Sequence, residues 1–141
     1  MMTEFNSAFI DTSPFIYFIE RSDAYFDRMK LWFSEAYEQG KLLVTSPVTV
    51  EEYSSFHFRS KKFEYIHAFR AFVSDMEISV RNIDFSIGLL AAELRAKYSG
   101  IKAMDALQLA SAIQNRCEVF LTNDKQLRQV EEIKVLLVEE L

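Results

Sequence analysis

The segment Gly100–Leu127, GIKAMDALQLASAIQNRCEVFLTNDKQL, decides the fold of this chain. Its apolar residues recur at helical spacing across Ala103–Asn115, which predicts a helix with one face in a core. The following run Cys117–Thr122 is rich in β-forming residues and predicts a short strand. Asp105 falls in the first turn of the helix, where the helix dipole favours a carboxylate. Asp124 follows the strand and can cap the next helix.

The rest of the chain repeats this alternation of strands and helices. The patterns predict further strands at Ser7–Asp11, Leu42–Thr45, Met76–Val80 and Ile133–Val138. Helices are expected at Ser13–Glu20, Ser22–Gln39, Val48–Phe58, Ser60–Phe72, from Asp84 or Ser86 to Tyr98, and at Lys125–Glu131. In two places a serine followed by a proline, Ser13-Pro14 and Ser46-Pro47, is typical of an N-cap and a first helical residue.

Strands separated by helices pair in parallel through right-handed crossovers. Residues 1–141 are therefore expected to form a single α/β domain, a three-layer α/β/α sandwich around a central parallel sheet. Ala8–Ile10 and Val119–Leu121 are apolar throughout, so we expect them to be the central strands, buried on both faces.

Composition narrows the possible classes of protein. Half of the residues are hydrophobic, which is typical of a globular chain. A single cysteine, Cys117, cannot form an intramolecular disulfide. No run of residues reads as a signal peptide or a membrane span, so a cytoplasmic protein is expected. The net charge of −5 does not favour a nucleic-acid binder, and the strongest basic cluster is short, Arg59, Lys61 and Lys62.

Acidic residues stand where the predicted strands end. Asp11 ends the first strand, Asp124 follows the fourth, and Asp105 begins the helix that leads into the fourth strand. Glu51 and Glu52 lie in the early turns of the helix after the second strand. Because ligands of parallel sheets bind at the carboxyl ends of the strands, these side chains are expected to converge on one edge.

Converging carboxylates repel one another, and the usual outcomes are protonation or cation binding. A set of carboxylates without histidine or cysteine suits hard cations, chiefly Mg²⁺ or Mn²⁺. Such ions serve phosphoryl chemistry, because they polarise a phosphate and lower the pKa of a bound water.

Four motifs in this order also resemble a known family. They are FIDTSPFIYFIE from Phe9, SPVTVEEY from Ser46, KAMDALQLASAI from Lys102 and VFLTND from Val119. Together they resemble the PIN-domain ribonucleases, especially the toxins of VapBC-type toxin–antitoxin pairs, and the resemblance covers essentially the whole chain.

The resemblance implies a Mg²⁺- or Mn²⁺-dependent endoribonuclease that is dimeric and is neutralised by a cognate antitoxin. It carries the family's acidic residues over to Asp11, Glu52, Asp105 and Asp124, as catalytic residues and metal ligands, and it selects Glu52 rather than Glu51. Thr12 and Thr122 lie beside two of the aspartates and are expected to support them. Ser13 stands where the family often has asparagine, and a hydroxyl can take its place.

Other interpretations of these residues stay open. The acidic residues can be helix caps in a non-catalytic PIN-like binding module, and a housekeeping RNA-processing nuclease would carry the same motifs. Aromatic residues are abundant on the predicted helices Ser13–Glu20, Ser22–Gln39 and Ser60–Phe72. We expect more aromatic surface there than one sheet face can cover, which predicts a homodimer or antitoxin interface on these helices. His57 and His67 are expected to be surface or packing residues.

Overall fold

Five strands and six helices alternate along residues 4–141, the part of the chain that the computed structural model describes. The strands are β1 (Ser7–Ile10), β2 (Leu42–Thr45), β3 (Ser79–Val80), β4 (Val119–Thr122) and β5 (Lys134–Leu137). The helices are α1 (Thr12–Ile19), α2 (Phe26–Glu38), α3 (Pro47–Arg59), α4 (Phe63–Asp75), α5 (Phe85–Lys97) and α6 (Ala103–Gln114). Two short 3-10 helices, Lys125–Gln129 and Val138–Glu140, lie on either side of β5.

The strands form one sheet in the order β3-β2-β1-β4-β5, and every pairing is parallel. β1 is the central strand, and Ala8 pairs with Leu43 on one side and Val119 on the other. All residues of β1 and β4 are buried. The predicted α/β/α sandwich and the two interior strands are confirmed.

Alternate residues of β1 supply the two sides of the core, as the twofold repeat of a strand requires. Ala8 and Ile10 belong to a core built with α1, α2 and α4, whereas Phe9 belongs to a second core built with α5 and α6. On that second side Phe9 stacks on Phe120 of β4, with ring centroids 5.3 Å apart. The helices therefore cover both faces of the sheet.

Part of the aromatic surface of α1 and α2 is covered inside the protein. Phe15, Trp32 and Phe33 are all buried, and Phe33 packs edge-on against Phe72 of α4 at 4.9 Å. Other rings of these helices keep exposed surface, since Tyr37 is 52% exposed and Phe18 and Phe26 line an open groove with Phe72. The homodimer or antitoxin interface expected on these helices stays a prediction. Large exposed apolar side chains also lie on α3 and α5, including Phe56, Phe58, Phe85 and Leu89.

The first helix begins earlier than its sequence predicts. Asp11, not Ser13, is the N-cap, because its extended backbone lets its carboxylate accept the N–H of Thr12 at 2.9 Å. Pro14 therefore lies within the first turn, where a missing N–H leaves no hydrogen bond unmade. The second serine–proline pair behaves as predicted, since Ser46 caps α3 and accepts the N–H of Val48.

Several predicted boundaries are displaced by residues with positive φ. Lys61 ends the α3 turn with φ +56°, so the next helix begins at Phe63 instead of Ser60. Glu77 has φ +55°, and only the last two residues of the predicted strand Met76–Val80 pair with β2. The predicted helices Ser22–Gln39 and Lys125–Glu131 are shortened to Phe26–Glu38 and to the 3-10 helix Lys125–Gln129. Asp84 is the cap of α5, through the N–H of Ile87.

In the described part of the chain, none of the helices has the length and apolar character that crossing a membrane requires.

Candidate active site

A cleft of about 440 Å³ opens at the carboxyl ends of β1 and β4. All four acidic residues singled out from the sequence line it. The lining residues are Asp11, Thr12, Ser13, Ile16, Tyr17, Glu52, Asp105, Thr122, Asn123 and Asp124. We call this feature the acidic cleft. The predicted convergence at one edge of the sheet is therefore present in the structure.

Asp11 forms the floor of the acidic cleft and is only 8% exposed. Its N–H donates to the carbonyl of Leu121 at 3.0 Å, which continues the β1–β4 pairing one residue beyond the strand. Its carboxylate accepts from the N–H of Thr12 at 2.9 Å and from the hydroxyl of Thr122 at 2.7 Å. These bonds hold the side chain in one orientation, directed at the cleft.

Glu52 enters the cleft from the second turn of α3. The Thr12 hydroxyl donates to its Oε1 at 2.6 Å, so the residue after Asp11 holds the glutamate in place. Adjacent side chains on a helix point about 100° apart. Glu51 accordingly lies outside the cleft lining, against a separate apolar groove. The sequence-based choice of Glu52 over Glu51 agrees with this placement.

Asp105 and Asp124 complete the acidic lining. Asp105 lies in the first turn of α6, as predicted. Asp124 accepts the N–H of Gln126 at 3.0 Å and caps the 3-10 helix after β4, while its own N–H donates to the Thr122 hydroxyl at 3.1 Å. Asp124 therefore serves as a helix cap and also lines the cleft.

Burial and the charges of neighbouring carboxylates raise the pKa values of Asp11, Glu52 and Asp105. Burial raises the pKa of Asp11, opposed by its hydrogen bonds from Thr122, Thr12 and Gln108. The pKa of Glu52 is also raised, first by burial and then by the charges of Asp11 and Glu51. Burial, then the charges of Asp11, Asp124 and Glu52, raise the pKa of Asp105 to about 6. The cleft thus concentrates negative charge that a cation would relieve.

Thr12, Ser13 and Thr122, the residues expected to support the carboxylates, differ in what they contact. Thr12 donates to Glu52, and Thr122 donates to Asp11, so each hydroxyl contacts one of the carboxylates. The Ser13 hydroxyl is buried in the cleft wall and finds no hydrogen-bond partner among the described residues. A buried hydroxyl without a partner is uncommon, and here it faces a site suited to a hydrated ion.

A buried polar network beneath the cleft was not predicted from the sequence. Gln108 of α6 is fully buried and lies one turn after Asp105. Its side-chain amide contacts Asp11, Ser46 and Thr49. Gln108 lies on the other side of α6 from the apolar stripe Ala106, Leu109, Ala110 and Ile113, about 200° around the helix from Ala106. Helical periodicity therefore predicts an exposed position and gives no signal for the burial of Gln108.

The donor chemistry of the cleft fits a hard divalent cation, since every ionisable ligand is a carboxylate. The geometry is nevertheless open, because no three Asp, Glu, His or Cys side chains within residues 4–141 approach as a ready-made metal site. In this arrangement both oxygens of Asp11 accept hydrogen bonds from protein donors.

The histidines and the basic cluster lie away from the acidic cleft. His57 is buried in α3 and its Nε2 lies 3.1 Å from Glu20, whereas His67 is exposed, so neither lines the cleft. Arg59, Lys61 and Lys62 are exposed at the turn between α3 and α4. Cys117 is buried immediately before β4, in the core formed with α5 and α6.

Comparison with known proteins connects this geometry to a family. One similar solved structure is VapBC2 from Rickettsia felis bound to a promoter DNA fragment, with a TM-score of 0.74, 18% identity, and 93% and 98% of the two chains covered. A toxin-antitoxin complex from Klebsiella pneumoniae is similar with a TM-score of 0.70 and 23% identity, and the match covers 93% of this chain and 97% of that one. VapC20 from Mycobacterium tuberculosis, described as a Sarcin-Ricin loop cleaving toxin, is similar with a TM-score of 0.64 and 16% identity. That match covers 80% of this chain and 86% of the other.

The structural likeness, at these identities, is a likeness of fold. No curated protein matches the sequence significantly. The model of the PIN domain family, however, matches residues 8–133, which include all four acidic residues of the cleft. The chain therefore belongs to the PIN domain family.

Proposed function

We propose that this protein is a Mg²⁺- or Mn²⁺-dependent endoribonuclease and the toxin of a toxin–antitoxin pair. The single observation that carries the proposal is the convergence of Asp11, Glu52, Asp105 and Asp124 on one cleft at the carboxyl edge of the sheet. Membership of the PIN domain family and the fold of a Sarcin-Ricin loop cleaving toxin support the same reaction.

In the proposed site, Asp11 and Asp105 are the central ligands, and Glu52 and Asp124 flank them directly or through water. When bound, the divalent cation would polarise the scissile phosphate and make a water acidic enough to attack it. Thr122 and Thr12 hold the carboxylates of Asp11 and Glu52 in their orientations. Within residues 4–141 the cleft lining contains no cysteine or histidine, and its one serine, Ser13, has no hydrogen-bond partner that would activate its hydroxyl as a nucleophile.

The electrostatics of the cleft support cation dependence. The pKa values of Asp11, Glu52 and Asp105 are all raised, so keeping these groups ionised is costly in the free protein. A divalent cation offsets that cost, and it would also screen the acidic cleft from an incoming phosphate. Such screening would let a protein with a net charge of −5 accept an RNA substrate.

We propose two protein partners as well. Several similar structures are toxin–antitoxin complexes, which supports a cognate antitoxin for this chain. A homodimer is the second. Besides the interface expected on the aromatic helices, α5 offers a second surface for it, since Phe85 and Leu89 are 83% and 61% exposed and continue along one helix face to Ala92 and Ala96. Light scattering of the purified protein would show twice the mass of the chain, and a strict monomer would contradict the dimer.

The proposal is tested by cleavage of a mixed small-RNA pool with purified protein in Mg²⁺ or Mn²⁺. We expect cleavage that stops with EDTA, returns on adding excess cation, and leaves 5′-phosphate and 3′-hydroxyl ends. Asp11→Asn should be inactive, while Glu51→Gln, an exposed acid one residue from Glu52, is the matched control and should stay active. Cleavage that survives both EDTA and Asp11→Asn would contradict the metal–carboxylate mechanism.

One observation favours a second candidate, a non-catalytic PIN-like binding module. The described side chains are not already gathered as a metal site, and Asp11 and Asp124 both cap helices. Calorimetry separates the candidates. A catalytic site gives Mg²⁺- or Mn²⁺-dependent heat that disappears in Asp105→Asn, whereas a binding module gives none.

A further inference from the structure

Gln108 occupies a position that an apolar residue would ordinarily take. It lies in the middle of α6, is 0% exposed, and is surrounded by the buried residues Leu109, Ala110 and Ser111 on the same helix. A buried amide is tolerated only when its polar atoms are hydrogen-bonded. The bonds it makes therefore explain why the position is polar.

The amide of Gln108 uses both of its N–H groups and its oxygen. Nε2 donates to Thr49 Oγ1 at 2.6 Å and to Asp11 Oδ1 at 3.3 Å. Oε1 accepts from the hydroxyl of Ser46. The orientation of the amide follows from chemistry, since an ionised carboxylate only accepts and must face the nitrogen.

These three bonds connect the segments that carry three of the four acidic residues. Asp11 follows β1. Ser46 caps α3, and Thr49 lies on the same helix one turn before Glu52. Gln108 itself lies on α6 one turn after Asp105. Residues three apart on a helix share a face, so one amide sits beneath both Glu52 and Asp105 and against Asp11.

The bond to Asp11 also bears on the cleft's capacity to hold a cation. Oδ1 of Asp11 accepts from both the Thr12 N–H and Gln108, and Oδ2 accepts from Thr122. The longest of the three contacts is the one from Gln108. Groups that hydrogen-bond to a ligating carboxylate fix its orientation and change metal affinity measurably.

We propose that Gln108 is a positioning residue for the divalent cation: it fixes the Asp11 carboxylate relative to the start of α3 and therefore sets the spacing among Asp11, Glu52 and Asp105. The inference rests on the proposed function, since it concerns the same cleft. It assigns to a buried glutamine a role in metal affinity rather than in stability alone.

The test compares Gln108→Met with Ser111→Ala by Mn²⁺ titration calorimetry of the intact chain. Methionine has nearly the length of glutamine and none of its hydrogen bonds. Ser111 is equally buried on the same helix, but its hydroxyl bonds to Asn115 and not to the cleft, so it is the matched control. We expect Mn²⁺ affinity to fall about 10- to 100-fold in Gln108→Met and to stay unchanged in Ser111→Ala. Circular dichroism verifies that both variants are folded.

Thr49→Val provides a second, milder variant in case Gln108→Met does not fold. It removes one partner of Gln108 without altering shape, and we expect a loss of Mn²⁺ affinity smaller than that of Gln108→Met but larger than that of Ser111→Ala. In cleavage assays the loss should be recovered at high Mn²⁺, with the KM for RNA unchanged, which a general loss of folded protein would not produce.

The outcomes separate the two proposals. A wild-type protein that binds no Mn²⁺ overturns the proposed function and this inference together. A wild type that binds Mn²⁺, with a folded Gln108→Met or Thr49→Val of equal affinity, overturns only the role of Gln108. An equal loss in Ser111→Ala also overturns it, because any change in the α6 core would then have the same effect.

Discussion

Helix α3 borders two concave surfaces of opposite character. One face of it supplies Glu52 to the acidic cleft, and the neighbouring face supplies Val50 and Glu51 to a groove of about 520 Å³. We call this second surface the apolar groove, and its lining is Val50, Glu51, Ser54, Ser55, Phe58, Ile66, Phe69, Arg70, Val73 and Val80.

The two surfaces differ in what their buried residues do. Beneath the cleft, Asp11, Gln108 and Thr122 are buried polar groups, tolerated because hydrogen bonds satisfy them. The floor of the groove is an aromatic residue, Phe69, which stacks on Tyr53 at 4.5 Å and meets Phe15 edge-on at 5.2 Å. The groove is therefore built of interactions that stabilise the fold, and the cleft is built of charges that oppose it.

The largest expected effect is the loss of RNA cleavage when a central carboxylate of the acidic cleft is removed. Asp11→Asn should lower RNA cleavage about 10³-fold or more, because a bound cation supplies several kcal/mol of transition-state stabilisation and Asp11 is its central ligand. The far-ultraviolet circular dichroism should be unchanged. Single-turnover cleavage rates measure the loss, and a rate within tenfold of wild type would contradict the role of Asp11.

A substitution in the apolar groove should have the opposite effect, lowering stability and leaving cation binding intact. Phe69→Ala removes a buried ring and should lower the free energy of unfolding by about 3 to 5 kcal/mol. Denaturant unfolding measures it. Mn²⁺ affinity of the folded fraction should stay at the wild-type value, and a loss of affinity would show that the two surfaces are coupled through α3.

Cation binding should raise the stability of the wild type. At a Mn²⁺ concentration 100 times Kd, the free energy of unfolding should increase by about 2.7 kcal/mol through mass action. Asp105→Asn should abolish most of the increase, and Glu51→Gln, on the groove side, should preserve it. A melting temperature that does not change in millimolar Mg²⁺ or Mn²⁺ would contradict a functional metal site.

The adjacent glutamates provide the sharpest comparison within one helix. Glu52→Gln should lower cleavage by roughly 10- to 100-fold, because its carboxylate lies in the cleft and is held by Thr12. Glu51→Gln should stay within about twofold of wild type, as expected for an exposed residue on the other face. Parallel kinetics of the two variants decide the assignment, and equal effects would remove Glu52 from the site.

The smallest expected effect concerns pH without a divalent cation. The pKa of Asp105 is raised to about 6, so the folded state holds a proton that the unfolded state releases above its ordinary pKa of 3.8. Stability from this group is fully present below about pH 4 and is lost as pH rises through 6, by roughly 1 kcal/mol after allowance for solvent screening. Asp105→Asn should show a smaller decline than wild type in denaturant melts between pH 4 and 7, because the raised pKa values of Asp11 and Glu52 still contribute. A parallel decline in wild type and variant would assign it to other groups.

The positions of the buried strands and the convergence of acidic residues at one sheet edge could be predicted, because both depend on local patterns. Apolar runs such as Ala8–Ile10 predict a buried strand, and parallel strands bring their carboxyl ends to one edge whatever their order. Asp11, Asp105 and Asp124 could thus be selected as neighbours before any contact was known. The choice of Glu52 over Glu51 needed the family resemblance, and the structure places only Glu52 in the cleft.

By itself the sequence determined the α/β class, the alternation of elements, the capping of α3 by Ser46 and the acidic edge of the sheet. The strand order β3-β2-β1-β4-β5, the burial of Phe15, Trp32 and Phe33, and the amide network of Gln108 depend on the tertiary structure. The difference lies in how far apart along the chain the interacting residues are. Periodicity and capping act between residues within a few positions of each other, whereas Gln108 meets Asp11 across 97 residues, through contacts that no local pattern encodes.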